Sequence, residues 1–346
     1  MASNISFTKL RNLFFATIIV VQGPQAFSPV STPALLDSAK VYLMTQNYAK
    51  ARRTVDAVLL KRPDIQEAHY LKCAIMQTEM LDYESYAEQG DAFIKHADSV
   101  SKMLSFRLPL ENGKDSIKCL FFLGSTLGGI GIIQSKLGNV PFGARNAMAS
   151  VGCFKQVIKS DPEFKAAYLG IGVFNYYLSE SLRWVPFFID KRQEAMEQLQ
   201  LATQAPFPYN YAASNSFCWI LIAQGDFRKA DSLASHVLLR YPENTMFVRA
   251  KVRIALACCQ WDASIEQARR LIGLSTKRDP VNWSDICSGY QAMLLAFDKL
   301  GMKKECKETS EKALSMALPE RIRKIQNVRK QLKFIAEIHE KYEVKK

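Results

Sequence analysis

The sequence has little of what enzymes use for chemistry. Its four histidines, His69, His96, His236 and His339, are scattered, and none has a partner at metal-ligand spacing. HExxH, GxSxG and DxD motifs do not occur. The acidic pairs Asp82/Glu84 and Asp161/Glu163 fall at turns and helix starts, where a carboxylate favours the positive end of a helix. Eight cysteines contain no CxxC pair, and the adjacent Cys258 and Cys259 have a geometry that rarely bridges within a helix. Most of the eight sit in apolar helical stretches, where cysteine acts as a small hydrophobe. A Cys–His nucleophile is assembled in space rather than in sequence, so it stays open, but nothing selects one cysteine from the eight. No catalytic residue, cofactor or metal site is assigned.

Long apolar runs are also missing. Beyond the first 28 residues no stretch approaches the ~20 uninterrupted apolar residues of a membrane-spanning helix, so none is expected in the mature chain. Strand-like alternation is absent as well, while apolar residues recur at three- and four-residue spacing, the period of helices. The first 28 residues differ from the rest. Lys9 and Arg11 precede the run Leu13 to Val21, followed by Gly23-Pro24 and the small residues Ala26 and Ser28. This pattern predicts a secretory signal peptide over 1–28 and a protein of the bacterial periplasm or cell envelope. The alternative is a core helix or a short anchor, but the run is too short to span and Gly-Pro would stop a helix. No cysteine precedes Cys73, which excludes a lipid-modified N-terminal cysteine.

The net charge is +13. Such a balance points to acidic partners, either protein faces, polyanions or an anionic membrane surface to which the chain would attach peripherally. Nucleic acid is not expected, because no RGG, helix-turn-helix or RNP-type motif accompanies the charge and export argues against it.

What is there is a repeat. The segments "SAKVYLMTQNYAKARRTVDAVLLKRPD" (38–64) and "FCWILIAQGDFRKADSLASHVLLRYPE" (217–243) can be laid over one another. Tyr48, Ala51 and Pro63 have the same spacing as Phe227, Ala230 and Pro242. The aromatic would plug the turn between two antiparallel helices, the alanine would let them pack closely, and the proline would end the second helix. Trp261, Ser264, Ala268 and Leu271 lie 34 residues after Phe227, Ala230, Ala234 and Val237. Ala167, Tyr168 and Gly172 open another unit, and Gly301, Cys306 and Ala313 form a weaker last copy. These residues resemble the tetratricopeptide repeat, a helix-turn-helix that stacks into a right-handed superhelix.

The resemblance covers roughly 32–316 and implies an all-α, right-handed α-α solenoid of antiparallel helix pairs. The domain is expected over 29–318, with insertions near 134–147 and 178–190, and "RLPLENGKD" (107–115) reads as a loop. A basic capping helix and tail would follow over 319–346, with Ile322, Ile325, Val328, Leu332, Ile335 and Ile338 as one apolar stripe on a helix 319–342.

Four glycines crowd "LGSTLGGIGII" (123–133). A phosphate loop would need a lysine and Ser/Thr at Walker spacing, or GxGxxG after a strand, and neither is present. Gly124 and Gly128, four apart, instead predict close helix packing. The aromatic-rich "VFNYYLSESLRWVPFF" (173–188) reads either as a cover for the end of a helix pair or as a sticky lip on a binding groove. "NWS" (282–284) matches a glycosylation sequon.

The resemblance further implies a non-catalytic scaffold that holds a peptide or protein segment in its concave face. In that family the first helix of each pair lines the groove, which places Tyr176, Tyr177, Asn215, Trp219, Arg249, Arg253 and Gln291 there. Arg249 and Arg253 lie four apart on one helix face and could grip a carboxylate, or could form a solvated face. The arrangement resembles the family's carboxylate clamp but has Asn215 where the first clamp lysine would stand. Two rivals stay open: an enzyme or small-ligand protein with a site built by the insertions against the solenoid, and a structural subunit whose groove is filled by its own insertions.

Overall fold

The computed structural model describes residues 31–187 and 189–343, so the segment read as a signal peptide lies outside the described residues. Among the described residues there are sixteen α-helices and no strand. Fourteen of them form seven antiparallel pairs: α1 (Thr32–Met44) with α2 (Tyr48–Lys61), α3 (Gln66–Tyr83) with α4 (Tyr86–Arg107), and α5 (Gly113–Lys136) with α6 (Val140–Ser160). The series continues with α7 (Ala167–Ser181) and α8 (Arg192–Ala202), then α9 (Tyr209–Gln224) and α10 (Phe227–Arg240). It ends with α11 (Thr245–Ala257) and α12 (Trp261–Thr276), α13 (Trp283–Leu300) and α14 (Lys303–Leu314), closed by α15 (Glu320–Arg323) and α16 (Gln326–Tyr342).

One backbone feature repeats through the series. In six pairs the residue two positions before the second helix has a positive φ: Gln46 57°, Glu84 53°, Gly138 90°, Gly225 79°, Cys259 56° and Gly301 70°. A left-handed residue after a helix reverses the chain within two or three residues, which is what an antiparallel pair needs. Side chains then start the next helix. Asn47 and Asp226 accept from the backbone N–H of Lys50 and Lys229 at 3.2 Å, capping α2 and α10. Tyr48 opens α2 and is buried, while Phe227 and Trp261 open α10 and α12 half-buried against the core. Ala51, Ala230 and Ala268 are completely buried, as the repeat spacing requires.

The glycine-rich run lies on α5 and serves packing. A Cβ on Gly131 would sit 2.9 Å from the Gly143 carbonyl oxygen and 3.1 Å from the Ala147 nitrogen. On Gly124 it would meet Cys153 Cβ at 2.9 Å, and on Gly129 it would meet Gln77 Oε1 at 2.7 Å. The absence of side chains therefore lets α5 touch α6 on one side and α3 on the other. At 24 residues and mean hydropathy 1.6, α5 is long and apolar enough to cross a membrane, but most of it is buried among its neighbours.

Local structure adds detail to these expectations and changes two of them. The stretch 134–147 is mostly helical: α5 runs to Lys136, and α6 starts at Val140 with Pro141 in its first turn, where proline sacrifices no hydrogen bond. The extra residues lengthen two helices. The expected loop 107–115 shrinks to one 3₁₀ turn, Leu108–Leu110, and two residues before α5. The capping helix breaks at Ile325, which is extended (φ −63°, ψ 125°). The break lets Ile322 and Ile325 pack with Leu318 on Trp283 of α13, while Ile335 and Ile338 of α16 enter the main core. Between α7 and α8 the described residues from Leu182 to Lys191 form no helix.

Two large cores run through the molecule. One lies among α3 to α7 and centres on Phe93, Phe121, Ile133 and Phe154. The other joins Leu36, Tyr48 and Val55 of the first pair to Phe247, Leu271 and Leu294 of the sixth and seventh. The superhelix thus curls until its beginning meets its end.

Candidate functional site

That meeting is made by a buried polar network. Asp82, at the end of α3, is completely buried and carries a charge that must be paired. Its carboxylate accepts from Arg278 at 2.7 Å, Arg249 at 3.1 Å, and Gln46 Nε2 and the Tyr48 hydroxyl at 2.8 Å each. Arg249 Nε also donates to Asp285 at 2.5 Å. Burial pushes the Asp285 carboxyl above its usual range, opposed by the Arg249 guanidinium. Arg278 lies 4.7 Å from the centroid of the Tyr83 ring, a cation–π contact that desolvation strengthens. Around this centre the Thr245 N–H donates to Gln46 Oε1 at 2.8 Å, and Asn244 Nδ2 donates to the Met44 carbonyl at 2.9 Å.

The sequence-derived groove residues scatter across this architecture. Arg249 does grip carboxylates, but they are those of Asp82 and Asp285, so its donors face inward and do not await a ligand. Arg253 is exposed, and the two arginines do not act as a pair. Tyr176 is buried and its hydroxyl accepts from Gln224 Nε2 at 2.6 Å. Trp219 packs half-buried on the core, and Gln291 is half-buried. Only Tyr177 and Asn215 come together, on the wall of a chamber. Gln46 and Asp82, from the first two helix pairs, bond to Thr245, Arg249 and Arg278 near the far end of the series. Asn282 of the sequon is fully buried, and its Nδ2 donates to the Asp82 carbonyl at 3.2 Å, so no glycan can be attached there in the fold.

The chamber is half-open, measures about 640 Å³ and lies among α1, α3, α5, α6, α7 and α9. Its wall is aliphatic, aromatic and glycine: Leu71, Phe93, Phe121, Gly128, Gly129 and Phe174 among others. The glycines that let α5 approach its neighbours also leave space where side chains would project, a role sequence reasoning missed. Uncharged polar groups (Gln77, Thr78, Ser125, Asn215) punctuate the wall, and Lys40 and Glu67, paired at 2.7 Å, stand at one edge. Burial pushes the Cys73 thiol on this wall up to about 12, far from the range of a nucleophile. Among the described residues no histidine lines the chamber, and no cluster of His, Cys, Asp and Glu is placed to hold a metal ion. The chamber floor, Met44, Tyr211 and Met246, borders the polar network, since Asn244 also donates to the Tyr211 hydroxyl. No signal in the sequence marked Lys40, Gln77 or Ser125, because their convergence depends on the curl.

A chain of the crystallised APC/C hetero-tetramer Cut9–Hcn1 matches 90% of this chain with a TM-score of 0.56 at 12% identity. The chain has the tetratricopeptide fold. It spans 56% of the length of that neighbour. A tetratricopeptide repeat protein from Parabacteroides merdae matches 88% of this chain and 98% of its own length, at 11% identity and a TM-score of 0.40. No family model matches the chain, and no curated protein does.

Proposed function

We propose that the protein is a non-catalytic scaffold of the bacterial cell envelope that receives an apolar segment of a partner protein in the chamber. The observation that carries this reading is the chamber itself. It is half-open, about 640 Å³, walled by apolar side chains and glycines, and equipped with a few uncharged polar groups that can meet a peptide backbone. The other concave surface, at Arg249, is already occupied by the chain's own helices. The partner segment is therefore apolar, and the acidic character suggested by net charge belongs to other surfaces.

A second reading, a small apolar ligand, is favoured by volume, since ligand sites span roughly 300–1,000 Å³. Val140 and Ala144 of α6 and Leu178 and Ser181 of α7 line the chamber, at or beside the segments that the sequence marked as insertions. One experiment separates the two. Labelled peptides of graded hydropathy and an environment-sensitive apolar dye are titrated into the native chain and into Ala212→Trp, which fills the chamber from an exposed position on α9. Peptide binding that falls at least about tenfold in the variant supports the scaffold. Dye binding without peptide binding supports the small ligand, and equal binding by both proteins refutes the chamber as the site.

A further inference from the structure

The part of the chamber wall made by α6 and α7 adjoins a second feature. Helices α6 and α7 are antiparallel neighbours, so the start of α6 and the end of α7 lie together, as their shared lining of the chamber shows. At this end the large apolar side chains point into solvent. Val140 and Phe142 on α6 are exposed, and the segment after α7 exposes Trp184 (80%), Phe187 (103%) and Ile189. Phe187 has φ 64°, a left-handed conformation unfavourable for a bulky residue, with its ring wholly outside the fold. Of the two readings of this segment, the cover for a helix pair does not hold for these side chains.

The same end is basic. Lys136, Arg145, Arg183 and Lys191, each a few residues along the chain from one of these apolar side chains, are exposed. The nearby carboxylates Glu180 and Asp190 are both paired with Arg192, at 2.8 Å and 2.6 Å. Among the described residues no carboxylate pairs with these four cations. Protruding aromatic and aliphatic tips together with lysine and arginine match the layered chemistry of a bilayer surface, apolar inside and anionic outside. A protein interface core instead excludes lysine and packs its aromatics into complementary pockets.

We propose that this end of the molecule docks on an anionic lipid bilayer, with Phe142, Trp184, Phe187 and Ile189 inserted among the acyl chains and the four cations at the headgroups. This surface is separate from what fills the chamber, and its test uses a different readout.

The full chain is floated with vesicles of phosphatidylcholine alone and with vesicles half phosphatidylglycerol. Because residues 13–21 are themselves apolar, the comparison is between variants of one full chain. The native chain should float with anionic vesicles and not with zwitterionic ones. Phe142→Ser/Trp184→Ser/Phe187→Ser should reduce the partition at least about tenfold, and Arg145→Glu/Arg183→Glu/Lys191→Glu should do the same. All six positions are exposed, so both variants should melt as the parent does, and Trp184 emission should shift to the blue on anionic vesicles. Equal flotation by parent and variants, failure of the parent to float with anionic vesicles, or equal flotation with both lipids would each overturn the proposal. Loss of peptide binding in the Ala212→Trp protein, with flotation retained, bears on the chamber alone.

Discussion

Arg249 on α11 and Asp82 on α3 stand 167 positions apart and meet at 3.1 Å in the interior. The same guanidinium holds Asp285 at 2.5 Å, so one cation bridges two carboxylates that are almost fully buried. Such a bridge is the geometric closure of the solenoid. It joins the second helix pair to the sixth and seventh, and Gln46, bonded to both Asp82 and Thr245, brings in the first.

Removing the bridge leaves two buried carboxylates short of a partner. Arg249→Met should cost about 3–5 kcal/mol, read from the urea midpoint followed by circular dichroism. Arg249→Lys should recover only part of this, because an ammonium cannot present the planar fork that reaches both carboxylates. Arg253→Ala, on the exposed side, should change stability by less than about 0.5 kcal/mol. Similar midpoints for Arg249→Met and Arg253→Ala would remove the network from the closure.

Two glycines on neighbouring helices should respond in opposite directions. Gly131→Ala places a Cβ 2.9 Å from the Gly143 carbonyl oxygen, and backbone cannot yield as a side-chain tip can. It should cost about 1–3 kcal/mol. Gly152 lies inside α6 with nothing within 4 Å of a new Cβ, so Gly152→Ala should stabilise by about 0.5–1 kcal/mol. Thermal melts of both check the pair, and a neutral Gly131→Ala would contradict the close approach of α5 and α6.

The cap of α10 gives a pH signature. The Lys229 backbone N–H holds the Asp226 carboxyl below its ordinary value, with the Lys229 side chain adding to the effect. A carboxyl depressed in the fold contributes stability above its unfolded pKa of about 3.9, and loses it as pH falls through the folded value. Asp226→Ala should therefore lower the melting temperature at pH 7, by the equivalent of about 1 kcal/mol. The gap from the native chain should narrow below pH 4. A gap that widens on acidification would reverse the sign and refute the capping argument.

Export is checked at the N-terminus of the protein isolated from its host. Removal of the signal peptide, after Ala26 or Ser28, predicts a mature chain that begins near Phe27 or Pro29. Finding Met1 or Ala2 by N-terminal sequencing would end the proposal that the protein is exported.

The sequence by itself determined the repeating unit. Buried alanines at 51, 230 and 268, turn aromatics at 48, 227 and 261, and helix-ending prolines at 63 and 242 are local demands of one helix packed on the next. Local demands recur at a fixed period, so they are legible in a single chain. The turns themselves were only half legible. Gly138, Gly225 and Gly301 announce a left-handed residue, whereas Gln46, Glu84 and Cys259 adopt the same conformation without any compositional sign. Gln46 is held there because its side chain is drawn into the network around Asp82.

Only the tertiary structure decided where the solenoid ends meet, and with that the candidate site. Whether Arg249 faces an empty groove or an internal carboxylate depends on superhelical curvature, the sum of small rotations between successive pairs. No residue encodes that sum alone. Lengthening α5 and α6, where the sequence suggested an insertion, extends the wall that becomes the chamber. Asp82 looked like an ordinary turn carboxylate and Asn282 like a surface sequon, because the groups that bury them lie about two hundred residues away in the chain.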